Sequence, residues 1–182
     1  MDRRSFLAAK KAPRQEAIPT KAARIITSGL IPYSGAWTIA EVNHLLKRTM
    51  FGASKTDINY FLTRTMSQAV DDLLNPVAPL PAPPLKNYAD TNTPAGDPDL
   101  GVTAGQTWVN THTLDGGVQS NRRTSFRSWW MGVMINQDRS IREKLTFFWH
   151  NHFSTEANEV GNARYVYNHH DLLRQQSLGN FK

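Results

Sequence analysis

Apolar residues recur at helical spacing along most of the chain, and no segment shows the alternation that is typical of a strand. The first region with this pattern covers residues 37–75 and holds three short amphipathic segments. Thr38 and Glu41 are spaced to form a capping box at the start of the first segment, and Ser54 opens the second. We therefore predict a compact lobe of three helices over residues 37–75.

A second helical region, rich in aromatic residues, is predicted over residues 121–182. Its first helix carries an apolar stripe at Phe126, Trp129, Trp130, Val133 and Met134. A capping box of Ser140 and Glu143 is expected to begin the next helix. That helix has its stripe at Ile141, Leu145, Phe148, Trp149 and His152. The last helix, near residues 162–178, has its stripe at Tyr165, His169, Leu172 and Leu173. Because only a short polar loop separates the last two helices, they are predicted to pack as antiparallel neighbours.

The segment between the two helical regions, residues 76–120, is rich in proline and glycine. Seven of the ten prolines fall within residues 76–98, and proline cannot continue a helix because it lacks an amide donor. Trp108 is expected to anchor this loop to the body of the protein. The predicted fold class is therefore all-α: an irregular helical bundle with a long proline-rich loop and a disordered basic N-terminal tail over residues 1–36.

The net charge of the 182-residue chain, 21 − 15 = +6, lies mostly in this tail. Residues 1–24 hold seven basic and two acidic side chains, 7 − 2 = +5, which leaves 14 − 13 = +1 for residues 25–182. A body so close to neutrality lacks the continuous positive field that nucleic acids select, so we expect no nucleic-acid partner. The longest apolar run, residues 129–135, is too short for a membrane span.

The start of the chain resembles an export signal. Residues 3–7 read RRSFL, which is similar to the core of a twin-arginine signal. A translocated signal also needs an apolar stretch, and here Lys10 and Lys11 interrupt it. Residues 1–36 are therefore interpreted as a basic tail or a degenerate export signal, and both readings stay open.

Several strings of residues resemble one bacterial protein family. They read LLKRTMFGAS at 45–54, AVDDLL at 69–74, REKLTFFWHNHF at 142–153, YNHHDLLR at 167–174 and LGNF at 178–181. Together they are similar to the bacterial domain of unknown function 1800 family, over residues 37–182. The resemblance implies a largely helical protein without an agreed activity, exported to the periplasm, with the cytoplasm as the alternative because the signal lacks an apolar segment. Family members are longer, so we expect the chain to be an N-terminal fragment in which the helical region 121–182 is cut short.

The chain has no cysteine, which excludes disulfides, thiolate metal sites and a cysteine nucleophile. Imidazole and carboxylate groups remain as candidate ligands for a divalent metal ion such as zinc, iron or manganese: His150, His152, His169, His170 and Asp171. At about 100° per residue, His152 shares the apolar face of its helix and His150 lies about 160° from that face. This favours a pair of His152 with His169 across two helices. A local His-x-His chelate requires the helix to end before Asn151. The interpretation favoured over both metal sites is that the histidines are structural, because a half-buried imidazole can be satisfied by a backbone carbonyl or a neighbouring polar side chain.

Two functional hypotheses follow. The first is a non-catalytic helical or interaction module of a cell-envelope-associated protein, which contacts either the missing C-terminal part of the family domain or a protein partner. Its aromatic surface is expected to make the chain prone to associate. The second is the N-terminal part of a metal-dependent enzyme that uses His152 and His169 together with residues beyond Lys182.

Overall fold

Seven helices make up most of the part of the chain that the computed structural model describes, residues 33–88 and 99–179. They are α1 (Ile39–Thr49), α2 (Lys55–Leu62), α3 (Met66–Leu74), α4 (Gly116–Ile135), α5 (Arg142–His152), α6 (Ala157–Val160) and α7 (Ala163–Gln175). Within these described ranges the extended backbone contributes one isolated antiparallel bridge, between Leu85 and Thr107. The predicted all-α class is therefore confirmed.

The chain divides into two compact units, Met1–Gly35 and Ala36–Lys182. Almost all of the first unit lies outside the described residues. Residues 1–32 of the predicted basic tail, with its arginine pair, therefore fall outside the described residues, and so do residues 89–98 of the proline-rich loop.

The first three helices, which we call the N-terminal lobe, share one apolar core. Its core consists of Val42, Leu46, Met50, Phe61, Ala69 and Leu73. The predicted capping box is present, because the Thr38 side chain accepts from a first-turn amide and the Glu41 side chain accepts from the Thr38 amide. Ser54 caps α2 by accepting from the amide of Asp57. Thr65 and Gln68 form a second capping box that starts α3.

A second core lies between the loop before α4, α4 itself and α7. Its buried apolar residues are Val102, Trp108, Val109, Phe126, Ala163, Val166 and Tyr167. Trp108 is completely buried and donates its indole N–H to the Ser125 hydroxyl over 3.2 Å. This anchors the loop to α4, as predicted.

The described part of the proline-rich segment, residues 76–88, is fixed to α4 by side chains of that helix. The Trp129 indole donates to the carbonyl of Ala82, and the Ser125 hydroxyl donates to the carbonyl of Leu85, each over 2.8 Å. Such bonds from a helix satisfy loop carbonyls that have no partner in a helix or sheet. The loop is therefore held in place by side chains of α4 together with the single bridge between Leu85 and Thr107.

A buried ion pair between Asp99 and Arg122 fastens the loop after residue 98 to α4. The guanidinium of Arg122 donates to both carboxylate oxygens, over 2.8 and 2.9 Å, and both side chains are almost fully buried. The Tyr88 hydroxyl donates to the same carboxylate over 2.6 Å. Burial alone would raise the pKa of Asp99, but hydrogen bonds from Arg122 and Tyr88 outweigh it, so the pKa lies below its ordinary value.

Two helix starts differ from the sequence predictions. Helix α4 begins at Gly116 rather than near residue 121, because the Asp115 side chain accepts from the amide of Val118 and so caps a first turn that the glycine pair obscures. Helix α5 has no side-chain cap. The predicted capping box of Ser140 and Glu143 is wrong because the Glu143 carboxylate binds an arginine of α7 instead.

The helices in residues 33–88 and 99–179 lack the combination of length and hydropathy that a membrane-spanning segment requires.

We expect Asp99→Asn to lower the free energy of unfolding by about 3–5 kcal/mol at pH 7, because it leaves the Arg122 charge buried without a counter-ion. The lowered pKa in the folded state means that this stabilisation is complete above about pH 4 and is lost as the pH falls through the folded pKa. The difference between variant and wild type should therefore shrink in acid. Urea unfolding at pH 7 and pH 3 measures it.

The matched control is Asp57→Asn, which removes the carboxylate from a more exposed pair with Arg139. We expect this change to lower the free energy of unfolding by no more than about 1 kcal/mol. Equal losses in the two variants would contradict the assignment of Asp99.

Candidate functional site

Helices α5 and α7 pack against each other in opposite directions, as predicted. Glu143 at the start of α5 pairs with Arg174 at the end of α7, and His150 further along α5 lies beside His169 further back on α7. The Arg174 guanidinium donates to both Glu143 oxygens over 2.7 and 3.0 Å. Both side chains are almost fully buried.

The faces that the two helices bury are not the predicted ones. Helix α5 buries Arg142, Glu143 and Thr146. Helix α7 buries Ala163, Val166, Tyr167, His170 and Arg174. The predicted burial of Phe148 and Leu172 is wrong, because these side chains are 54% and 55% exposed. A hydropathy pattern places charged residues outside, whereas Glu143 and Arg174 neutralise each other and can therefore lie inside.

The packing of α4, α5 and α7 brings three histidines together, the cluster His150, His169 and His170. The ring centroids of His150 and His170 are 5.8 Å apart, and those of His150 and His169 are 6.4 Å apart. Trp130 of α4 covers the cluster, with its ring 4.0 Å from His170 and 4.8 Å from His150. Phe126 adds an edge-to-face contact with His170 at 5.2 Å.

Polar atoms in this histidine cluster lack partners among the described residues. Both ring nitrogens of His170, and Nδ1 of His150 and of His169, are buried without a hydrogen bond. His170 is completely buried. Burial, helped by the nearby charge of Arg174, lowers the pKa of His170 to about 2. Burial, followed by the neighbouring His169, also lowers the pKa of His150. His150 and His170 therefore present neutral imidazoles, the form that binds metal ions.

An aromatic outer surface lies on the opposite face of α5 and consists of Phe148, His152 and Phe153. The His152 ring stacks parallel to Phe148 at 6.3 Å and contacts Phe153 at 4.7 Å. Phe148 is 54% exposed and Phe153 is 39% exposed. Exposed aromatic rings in mutual contact are typical of surfaces that bind other proteins.

The family described as "Protein of unknown function (DUF1800)" matches residues 44–182. This match covers well over half of the chain and includes α5, α7 and the histidine cluster. The chain belongs to the DUF1800 family. The search of curated proteins and the search of solved structures gave no match.

The five candidate ligands fall in different places in this DUF1800 chain. His150, His169 and His170 form the cluster, whereas His152 is exposed on the aromatic outer surface. Asp171 accepts a hydrogen bond from Gln175 over 2.7 Å, on the same helix. The predicted orientation of His150 and His152 is therefore wrong: His150, not His152, is the α5 histidine beside His169.

The local His-x-His chelate is also not formed. Helix α5 continues to His152 and is capped by Phe153, so the two histidines of that motif lie on opposite faces. Among residues 33–88 and 99–179, no three histidine, aspartate or glutamate side chains are placed to hold one metal ion together.

Sequence reasoning missed the ion pair that sets this arrangement. A signal for it existed in α7, because a second set of residues follows helical spacing and marks a second possible buried face. These residues are Ala163, Val166, Tyr167, His170 and Arg174. Choosing that face requires a counter-ion for Arg174. The carboxylate that supplies it, Glu143, lies 31 residues away, and its role in a capping box was the stronger local prediction.

We expect His170→Ala to lower the free energy of unfolding by about 2–4 kcal/mol, because loss of the imidazole opens a cavity among aromatic rings. The measurement is made with a chelator so that metal binding does not contribute to the difference. His170→Leu should change the free energy of unfolding by less than about 1 kcal/mol or raise it, because it fills the space and removes two buried nitrogens without partners. Urea unfolding measures both.

His152→Ala is the control, because His152 is exposed on the opposite face of α5. We expect this change to alter the free energy of unfolding by no more than about 0.5 kcal/mol. A larger loss for His152→Ala than for His170→Ala would restore the orientation that the hydropathy pattern predicted.

Proposed function

We propose that this DUF1800 chain is a non-catalytic helical interaction module of a cell-envelope-associated protein, and that it associates through the aromatic outer surface of α5. The observation that supports this function is the exposure of Phe148 and Phe153 in direct contact with His152. Burying an aromatic side chain removes about 150–250 Å² from water. Each half-exposed ring therefore offers on the order of 2 kcal/mol of apolar burial to a partner.

The partner we propose is a second copy of the chain. The three residues of the aromatic outer surface carry no acidic or lysine or arginine side chain, and residues 25–182 have a net charge of only +1. Residues 25–182 of two copies therefore meet without strong long-range repulsion. A patch of apolar rings is chemically complementary to itself, which is what a two-fold symmetric interface requires.

We expect Phe148→Asp to reduce self-association, because it places a charge that would have to be desolvated at the centre of the interface. Sedimentation velocity over a range of protein concentrations measures the association. Val77→Asp is the matched control. Val77 is fully exposed and does not belong to the aromatic outer surface; its loop contacts α5 at Arg142, at the other end of the helix. The change should therefore leave the association unchanged.

A wild-type chain that stays monomeric at about 100 µM would refute the self-association. An equal loss of association in Phe148→Asp and Val77→Asp would also count against the aromatic outer surface.

The twin-arginine-like sequence at residues 3–7 supports the cell-envelope part of the proposal. We expect the full chain, expressed in a bacterial host, to reach the periplasm, and we expect Arg3→Lys with Arg4→Lys to retain it in the cytoplasm. Lys10→Arg with Lys11→Arg keeps the charge outside the arginine pair and serves as the control. Cell fractionation followed by immunodetection reads the outcome, and cytoplasmic wild-type protein would contradict export.

A further inference from the structure

The histidine cluster has a feature that packing alone does not account for. His170 is completely buried, and neither of its ring nitrogens has a hydrogen-bond partner among the described residues. A buried polar atom without a partner is destabilising, and natural proteins satisfy nearly all such atoms. Nδ1 of His150 is in the same state, on the neighbouring helix. Two unsatisfied imidazoles from α5 and α7, with ring centroids 5.8 Å apart, indicate a ligand that interacts with both.

The spacing of the two rings suits a metal ion. An imidazole nitrogen binds zinc at about 2.0–2.1 Å, so two imidazoles on one tetrahedral ion have ring centroids about 5–6 Å apart. The centroids of His150 and His170 are 5.8 Å apart. The centroids of His150 and His169 are 6.4 Å apart, which is beyond this range.

The chemistry of the surrounding side chains indicates which class of metal ion this site can bind. Both oxygens of Glu143, the nearest buried carboxylate of α5, are bound by Arg174, and Asp171 is bound to Gln175. Calcium and magnesium prefer several oxygen ligands, which this site does not offer. Neutral imidazole ligands suit zinc, cobalt, nickel and copper.

We propose that His150 and His170 form a two-imidazole binding site for one divalent late transition-metal ion of the zinc class. The ion bridges α5 and α7 and leaves its other coordination positions to water or to a small solute ligand, since no third side chain of the described residues is placed to share it. This site lies on the opposite face of α5 from the aromatic outer surface, so the proposal is independent of self-association.

The test uses the full chain, stripped with a chelator, and titrates Co²⁺ alone as a spectroscopic probe and Zn²⁺ alone by calorimetry. We expect one equivalent of ion per chain and an absorption spectrum of Co²⁺ with nitrogen ligands. His150→Gln and His170→Gln should each weaken Zn²⁺ binding at least about tenfold. Zn²⁺ should also raise the Tm of the wild type and raise it less in either variant.

His152→Ala is the matched control, because it removes an exposed histidine two residues from His150 and should leave the affinity unchanged. If His170→Gln does not fold, the binding measurement relies on His150→Gln, because the His150 side chain is only partly buried.

Three results would overturn the proposal. The first is a wild-type chain that binds no stoichiometric ion. The second is weak binding of several equivalents that none of the cluster variants changes, which indicates adventitious contact with surface histidines. The third is loss of binding in His152→Ala, or in His169→Gln while His170→Gln still binds, which assigns the ion to a different pair.

Discussion

The ion pair between Glu143 and Arg174 is the constraint on which the arrangement of the C-terminal helices depends. Removing two charges from water is costly, so these helices can pack only in a register where the guanidinium meets the carboxylate. Once Glu143 points inward, the geometry of α5 follows. His150 lies seven residues later, about 20° from the same face, whereas His152 lies about 180° away. On α7, His170 lies one turn before Arg174 and turns inward with it.

A second buried ion pair fixes the loop before α4. Asp99 and Arg122 are also a buried, doubly hydrogen-bonded pair, and they join an irregular segment to a helix. In both pairs the arginine projects from a helix and satisfies a carboxylate from an element distant in sequence. Planar guanidinium groups suit this role because they bind a carboxylate through two parallel hydrogen bonds. Two charged pairs therefore act together with the apolar core of the loop, α4 and α7 in setting the positions of the loop and of α7.

One consequence is that α5 has two chemically different faces. Its inner face presents His150 to the aromatic rings of α4 and to the histidines of α7, in an environment where an unpaired polar atom is expensive. Its outer face presents aromatic rings to solvent, where burial by a second surface is favourable. Ligand binding and association are therefore separable by substitutions on a single helix. The family match covers both faces but supplies no activity for either.

The sequence by itself determined the local structure. Capping residues and helical spacing were sufficient for the helices of the N-terminal lobe, for the all-α class and for α5 and α7 as antiparallel neighbours, because caps and periodicity are local properties. The strings around the histidines were also sufficient to identify the family. Only the tertiary structure decided which faces of α5 and α7 turn inward. Hydropathy assigns an isolated charge to the surface, and whether Glu143 can be buried depends on Arg174, 31 residues later in the chain and one helix away in space. Because of that contact, His150 rather than His152 lies in the candidate site, and Phe148 and Leu172 are exposed to solvent.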